Sequence, residues 1–465
     1  MTMLRRFEPS QRQRRLGLLA GIHLLLILTA ASHASAFGQT AGEVAAQVLS
    51  GRDSLAQTKP VVLTLAEAIK RAEGNEPLYA ASLAVSLVAG QERWVARKDL
   101  LPSVVYHNQA VYTQTDRGAT VPRFIANNAA REYASQAVVN ETLGLGRLAA
   151  ARRADAAEAR AAAELEIARR GLVAAVTSLY YGAIAAENKQ AIAERAHAEA
   201  KEFSGLAGKR EQAREAAHAD VVKAQLQEQQ RERDLSDAKL AAEKARLELG
   251  VLLFADPRTP FALVAGDGTA EIPSRTEVEE AAGRNNPELK SALAAVRMSD
   301  AEVLAARAAY LPDLGLNYTY GIDAPQFAVN GPDHLRNLGY ATSVTLDIPI
   351  WDWLATEHKV KQSEIRRKAA QVALTAAQRR LIARLNEAWS EAAAARDQLV
   401  SLDASVATAA ESLRLTKLRY TSGETTVLEV VDAQTAFVSV ENAREGGRVR
   451  YQAARSDLET LMGTM

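Results

Sequence analysis

Few residues of this chain have the type and spacing that could do chemistry. Two carboxylates, Glu429 and Asp432, lie three positions apart just after Gly423, so a helix there carries both on one face. A ring of carboxylates in a confined pore favours cations and repels anions. The same spacing also fits an ordinary solvated helix face, because Asp and Glu are mostly exposed. The choice between these readings depends on the elements that position the pair.

Catalytic signals elsewhere are weak. The chain has no HExxH pair, no GxSxG and no Walker A sequence. Residues 144–149 fit the dinucleotide pattern G-x-G-x-x-A, but Asn140 and Glu141 interrupt the buried apolar strand that should precede it. His218 near Asp220 could suggest a metal site, although a solvated histidine at a helix end is commoner. We therefore predict no catalytic, cofactor-binding or metal site, and keep a dehydrogenase only as a remote alternative.

The composition excludes several classes of protein. The 465 residues include 56 basic and 56 acidic side chains and no cysteine. This balance argues against a nucleic-acid partner, which requires a basic surface. The absence of cysteine excludes disulfides and thiolate zinc sites. Aromatic residues are only 5% of the chain while alanine is abundant, and this combination suits long helices.

A signal peptide is predicted over residues 1–36. Basic residues precede an apolar run over 16–31, and Ala34-Ser35-Ala36 forms an A-x-A cleavage signal. We expect export, with an N-terminal linker over 37–61. No later run reaches the roughly 18 apolar residues of a membrane-spanning helix. A membrane-embedded part would therefore consist of strands.

The sequence is a duplication. Three prolines recur at an offset of 210 residues, with Pro77, Pro102 and Pro122 matching Pro287, Pro312 and Pro332. Further along, residues 220–225 match 429–434 at an offset of 209. We predict a first repeat over 62–260, a linker over 261–275 and a second repeat over 276–465.

Proline-free stretches predict long helices in both repeats. No proline lies between 123 and 256 or between 350 and 465, and apolar residues recur there at helical spacing. Long helices are expected over about 146–253 and about 354–463. Their length implies a coiled-coil-like assembly in which alanine permits close approach.

A β-hairpin is predicted before the long helices of each repeat, over about 103–143 and about 313–350. Residues after Pro102 and Pro312 alternate between two faces, as strands do. Strands of about 10 residues can cross a bilayer when tilted, but four strands cannot close a barrel. A membrane location therefore requires oligomerisation. The alternative is a soluble α+β protein whose hairpins form one sheet packed on helices.

Four segments, set in two repeats behind the predicted signal peptide, together resemble the TolC-like outer-membrane efflux protein family: LTLAEAIKRAEGNEPLYAA, ARAAYLPDLGLNYTYG, VTLDIPIWDW and LRYTSGETTVLEVVDAQTAF. The resemblance covers residues 62 to 462. It implies an α+β fold in which a homotrimer combines a 12-stranded transmembrane β-barrel with a continuous periplasmic α-barrel of long helices.

The resemblance also implies a function. It predicts a passive outer-membrane channel of a tripartite efflux or secretion system in a Gram-negative-type cell, with a large periplasmic part. The implied partners are two further copies of the chain, a periplasmic adaptor (membrane fusion) protein, an inner-membrane transporter and outer-membrane lipid, without nucleic acid or cofactor. The alternative is a periplasmic structural or interaction protein built of helical hairpins.

At the helix tips the resemblance assigns roles to individual residues. Glu429 and Asp432 correspond to the pair lining the periplasmic constriction, so threefold symmetry would gather six carboxylates. Tyr420 falls on the family's restraining tyrosine and Asp220 on its partner, which predicts a hydrogen bond from phenol to carboxylate. Both tips, including the turn at Gly423, are the expected adaptor contacts.

Two residues depart from the family pattern. Thr425 stands where the family has its restraining arginine, so the salt-bridge half of the latch is not expected here. Arg214 stands where Gly423 stands in the second copy. Because glycine favours the left-handed turn at a helix end, the first tip is expected to turn earlier, near Gly205 and Gly208.

Overall fold

A computed structural model describes residues 60–112, 131–264, 272–331 and 335–463. The predicted signal peptide and most of the linker after it lie outside these residues. The chain divides into two compact units, one formed by residues up to Val61 with Arg258–Phe261, and the other by Val62–Pro257 with Ala262–Met465. All features described below belong to the second unit, except Val61 and Phe261.

Both repeats contain the same elements in the same order. The first repeat has β1 (Val61–Leu63), α1 (Leu65–Asn75), α2 (Pro77–Lys98), β2 (Ser103–Tyr112), β3 (Arg131–Leu143), α3 (Leu145–Gln212) and α4 (His218–Leu253). The second has β4 (Phe261–Leu263), α5 (Arg275–Asn285), α6 (Pro287–Ala308), β5 (Asp313–Ala324), β6 (Leu338–Asp347), α7 (Ala355–Thr421) and α8 (Val427–Met462). At 1.5 Å per residue, α3 and α7 are each about 100 Å long.

The repeated prolines separate consecutive helices. Pro77 and Pro287 occupy the first turn of α2 and α6, where the missing N–H has no intrahelical acceptor to lose. Asn286 ends α5 and caps α6, because its side chain accepts a hydrogen bond from the Leu289 N–H at 2.8 Å. The helices α1 and α5 therefore end just before a proline, and that proline begins the next helix.

Equivalent side chains make equivalent contacts in the two repeats. Arg97 on α2 donates to Asp155 on α3 at 3.0 Å, and Arg307 on α6 donates to Glu364 on α7 at 2.7 Å. These arginines are 210 residues apart and their acceptors 209 apart, so one ion pair ties each shorter helix to its long partner in both copies.

The long helices pack through small side chains. α2 packs on α3, α3 on α6 and α6 on α7, while farther along α3 packs on α4 and α8, and α7 packs on α8. Ala149, Ala156 and Ala163 recur every seventh residue on α3 and are buried, a spacing that keeps one face of a helix against its partner. Among the described residues, no helix combines the length and the apolar character required to cross a membrane.

The four long strands form one antiparallel sheet in the order β2-β3-β5-β6. Tyr106 pairs with Ala137, Ala137 with Tyr320, and Tyr320 with Tyr340, so one register line crosses all four strands. The β3–β5 pair joins the two repeats and leaves β2 and β6 as the edges. No helix packs on either face of this sheet in the described part of the chain, contrary to the alternative of a sheet covered by helices.

Candidate functional site

The turn at the second tip has the hydrogen bonds of a Schellman motif. Gly423 follows α7 with a φ of 78°. Its N–H donates to the Tyr420 carbonyl at 3.1 Å, and the Glu424 N–H donates to the Arg419 carbonyl at 2.9 Å. These two bonds satisfy carbonyls that the end of α7 leaves free.

The first tip makes the same turn without glycine. Arg214 has a φ of 64°, and the Arg214 and Glu215 N–H groups donate at 2.8 Å to the carbonyls of Glu211 and Arg210. The expectation of an earlier turn near Gly205 and Gly208 is therefore wrong. α3 continues through both glycines, because the cost of one left-handed residue, about 1–2 kcal/mol, is offset by a complete turn with both bonds formed.

An apolar cluster joins the two tips, and we call it the tip cluster. Its buried members come from both repeats: Phe203, Ala207, Val221, Ala224, Tyr420, Val427 and Val430. The Tyr420 ring meets the Phe203 ring edge to face, with centroids 5.0 Å apart. The hairpin α3–α4 and the hairpin α7–α8 are thus packed together at their ends.

Glu429 and Asp432 lie outside the tip cluster. Both are exposed near the start of α8, and Glu429 lies in its first turn, where a negative charge is stabilised by the helix dipole. The Thr425 hydroxyl, assisted by Thr426, lowers the pKa of Glu429 below its usual range, and the Arg419 guanidinium 4.0 Å away acts in the same direction. Asp432 has no ion-pair partner within the described residues.

The predicted hydrogen bond from Tyr420 to Asp220 is not formed. The Tyr420 hydroxyl is buried and has no partner among the described residues, while the Asp220 carboxylate lies 3.9 Å from Lys223 Nζ on its own helix. Burial raises the pKa of Tyr420, and the charge of Asp220 acts in the same direction. The two residues are close enough to interact electrostatically, but no hydrogen bond joins them.

Sequence reasoning missed Arg210. Its Nη1 donates to the Tyr420 carbonyl at 2.5 Å, and its guanidinium carbon lies 4.9 Å from the centre of the Tyr420 ring. Its Nε lies 3.4 Å from the Glu215 carboxylate. A signal was present, because Arg210 matches Arg419 at the repeat offset of 209, and both precede the left-handed residue by four positions.

Polar pairs continue the contact between hairpins above the tips. They are Glu199 with Lys417 at 2.8 Å, Arg195 with Glu441 at 3.1 Å and Asn188 with Glu445 at 2.8 Å. The Glu441 and Glu445 carboxylates are buried, and each has an arginine partner. Such pairs require defined geometry, because a buried charge without its partner is costly.

The sheet has one mainly apolar face, which also carries Asn108, Ser135, Glu141 and Thr342, and one mainly polar face, which also carries Val105 and Val138. The apolar face carries Val104, Tyr106, Ala137, Val139, Leu314, Leu316, Tyr318, Tyr320, Leu338, Tyr340, Val344 and Leu346. The opposite face carries His107, Gln136, Asn140, Thr142, Asn317, Thr319, Ser343 and Thr345. Because neither face is covered, the apolar side chains are presented to the surroundings, as on a strand facing lipid.

An aromatic segment follows the apolar face where β6 ends. Ile348 and Ile350 continue its alternation, and Ile350 is 90% exposed. Trp351 and Trp353 come next, with ring centroids 5.8 Å apart. Exposed tryptophans beside an apolar band are typical of the boundary between lipid and water.

The sequence features that could suggest an enzyme have structural explanations. A Cβ at Gly144 would collide with the Asp313 carboxylate, so this glycine leaves room for that side chain. β3 lies antiparallel between its neighbours, unlike the strand of a dinucleotide-binding βαβ unit. His218 Nδ1 lies 2.7 Å from Glu211. No cluster of three metal-ligating side chains occurs in the described ranges.

Solved structures with the same fold are outer-membrane channels. The CmeC channel of Campylobacter jejuni matches with a TM-score of 0.73 at 16% identity, over 86% of this chain and 85% of that one. The outer membrane protein VceC of Vibrio cholerae matches with a TM-score of 0.73 at 16% identity, over 86% of this chain and 96% of that one. At this identity the likeness establishes the fold.

Sequence comparisons agree with the fold. The family described as outer membrane efflux protein matches residues 279–464. The proteases secretion protein PrtF of Dickeya chrysanthemi is 28% identical over 204 residues, covering 42% of this chain and 44% of that protein. The outer membrane protein OprJ of Pseudomonas aeruginosa is 26% identical over 177 residues, covering 38% of this chain and 36% of that protein. The match thus spans less than half of these curated relatives.

The fold is therefore that of an outer-membrane channel protein. Residues 279–464, less than half of the chain, match the outer membrane efflux protein family, and the fold agrees with that match. The resemblance found in the sequence is confirmed.

Proposed function

We propose that three copies of the chain form a passive outer-membrane channel of a tripartite efflux or secretion system. The channel conducts substrates across the periplasm and outer membrane, and a ring of Glu429 and Asp432 carboxylates gates its periplasmic end. The observation that carries this proposal is the uncovered four-stranded sheet with one mainly apolar face, one mainly polar face and two open edges.

Open edges require partners in lipid. Unpaired backbone groups are costly in hydrocarbon, so β2 and β6 must be paired if the apolar face contacts the membrane. β2 and β6 run in opposite directions within the sheet, so β6 of one copy can pair with β2 of the next in an antiparallel ring. Two copies would give about eight strands, whose interior is filled by side chains, whereas three give 12 and room for water.

The helices continue the ring below the sheet. Each copy contributes α2, α3, α6 and α7 nearest the sheet, and α3, α4, α7 and α8 farther along. Three copies would form a periplasmic α-barrel about as long as α3. The two structural repeats, assigned to 62–260 and 276–465, then alternate around one duct.

The constriction is assigned to the second tip by its two carboxylates, of which Asp432 has no ion-pair partner in the described part of the chain. Threefold symmetry gathers three copies of Glu429 and Asp432 at the same level, which concentrates cations there. Because the pKa of Glu429 is lowered, its carboxylate remains charged at neutral and mildly acidic pH. An ordinary solvated helix face would show no such effect on ion flow.

The proposed partners follow from the ends of the duct. A periplasmic adaptor protein contacts the tips around Gly423 and Arg214, and an inner-membrane transporter delivers substrate beneath it. Outer-membrane lipid contacts the apolar face of the sheet and the exposed Trp351 and Trp353.

Reconstitution tests the proposal. The protein, purified in detergent, is weighed by light scattering and then added to a planar bilayer. We expect a particle of three mature chains, each lighter than the 50.0 kDa of the full sequence, that forms small, cation-selective pores. A monomer that stays soluble without detergent and leaves the bilayer silent would favour the periplasmic structural protein and overturn the channel.

A further inference from the structure

Arg210 spans the two hairpins at the tip. It belongs to the last turn of α3, yet its Nη1 donates to the Tyr420 carbonyl of α7 and its guanidinium lies over the Tyr420 ring. The Tyr420 carbonyl also accepts the Gly423 N–H of the second turn. One side chain of the first repeat therefore contacts both the end of the second long helix and its key aromatic residue.

Arg210 is also held on its own side. Its carbonyl accepts the Glu215 N–H that closes the first turn, and its Nε faces the Glu215 carboxylate. The side chain is only 19% exposed. Arginine suits this position because its planar fork can donate a hydrogen bond in one direction and stack on a ring in another.

We propose that Arg210 is the arginine of the tip latch in this chain and restrains opening of the constriction; this inference rests on the proposed function. Thr425 is too short to bridge the hairpins at the position expected from the sequence, and the Tyr420 hydroxyl makes no bond to Asp220. The restraint comes instead from the opposite repeat and holds Tyr420 through its carbonyl and ring.

The restraint acts on the constriction through the second turn. Only eight residues separate Tyr420 from the first-turn carboxylate Glu429, and the intervening turn is closed by two hydrogen bonds. A movement of α7–α8 away from α3–α4 must therefore break the Arg210 contacts and separate Tyr420 from Phe203. Opening becomes easier when Arg210 is removed.

Conductance tests the restraint. Arg210→Met keeps most of the apolar stem but loses the donor and the charge, and we expect it to raise the ratio of open to closed channels about tenfold. Arg210→Lys keeps the charge and is expected to recover only part of the restraint, because an ammonium lacks the planar fork. The matched control is Lys209→Met, an exposed neighbour with the same change in charge. Equal effects of Arg210→Met and Lys209→Met would overturn the proposal.

A covalent link tests whether holding the hairpins together is the mechanism. The chain has no native cysteine, so Glu199→Cys and Lys417→Cys provide a unique pair where the two hairpins form an ion pair. Bridging them with a short bis-maleimide in the Arg210→Met variant should restore the closed state. A bridged variant that stays as open as the unbridged one would contradict the mechanism.

A measurement outside the bilayer separates this inference from the proposed channel. Spin labels at Gln212→Cys and Glu424→Cys report the distance between the two turns in detergent. Arg210→Met should broaden and lengthen the distribution, and Lys209→Met should not. A silent wild-type bilayer would reject the channel, whereas an unchanged distance in Arg210→Met would reject Arg210 as the tie between tips.

Discussion

The two helix tips are copies of one another that now differ in charge. The first-turn acid of α4 is Asp220 and that of α8 is Glu429, but three residues later the first tip has Lys223 and the second has Asp432. Lys223 faces Asp220 at 3.9 Å, so the first pair is locally compensated. The second tip has two carboxylates per chain: Glu429 has Arg419 4.0 Å away, whereas Asp432 has no ion-pair partner among the described residues. One substitution in a duplicated turn is therefore enough to place the proposed constriction on one repeat.

Removing the charge of the second tip is expected to change conductance and cation block more than any other substitution considered. Glu429→Gln with Asp432→Asn takes six charges from a trimeric ring, so we expect higher single-channel conductance and block by a trivalent cation weakened at least about tenfold. The control is Glu232→Gln with Asp403→Asn, which removes the same charge from exposed positions away from α8. Identical block in both variants would remove the pair from the constriction.

The pH dependence of cation selectivity tests whether the Glu429 carboxylate of the second tip contributes to the constriction. The pKa of Glu429 is lowered below the ordinary glutamate value. Its carboxylate therefore stays charged above this lowered pKa and loses its charge as the pH falls through it. Cation selectivity should therefore be unchanged between pH 7 and about 5 and decline only at lower pH. Thr425→Val removes the main hydroxyl that lowers the pKa, so the decline should begin at higher pH. Reversal potentials measured in a salt gradient check this, and superimposable profiles would contradict it.

Giving the first tip the acid pair of the second should change cation block by a smaller amount. Lys223→Asp replaces the compensating cation with a second acid, and we expect block by a trivalent cation to strengthen about twofold if the first tips also face the duct. Lys223→Met separates the loss of the positive charge from the gain of a negative one. Block equal to that of the wild type in Lys223→Asp would show that the first tips do not face the duct.

Substitutions at the left-handed residue of each turn should change the free energy of unfolding in opposite directions. Gly423→Ala places a Cβ at a φ of 78° and should cost about 1 kcal/mol of the free energy of unfolding, whereas Arg214→Gly should gain up to about 1 kcal/mol. Arg214→Ala serves as the control, because it removes the side chain and keeps the backbone cost. Thermal unfolding in detergent measures all three. A stabilised Gly423→Ala would mean that the backbone at this turn differs from the one described.

Much of the fold could be predicted from local patterns. The prolines at one offset indicated the duplication, and the strands β2, β3, β5 and β6 lie where alternation predicted hairpins. Proline-free, alanine-rich sequence predicted the long helices, but the first turn was predicted too early, near Gly205 and Gly208, because α3 extends to Gln212. The family resemblance, carried by whole segments, is confirmed by fold and sequence comparisons.

The tip contacts could not be predicted in the same way. Glycine at 423 suggested a turn, but Arg214 shows that the hydrogen bonds of the turn can override residue preference. The Tyr420 hydroxyl was expected to bond to Asp220, but no such bond forms, and Tyr420 is a buried member of the tip cluster. Arg210 and Tyr420 are 210 residues apart, so no local spacing relates them.

The sequence by itself determined the order of elements, the two-faced strands and the acid pair at 429 and 432, because periodicity, proline and glycine act within a few residues. The tertiary structure alone decided that β3 pairs with β5, that the two tips share one apolar cluster and that Arg210 reaches Tyr420. These contacts join the two repeats, and their free energy comes from burial and hydrogen bonds that exist only when distant segments have met.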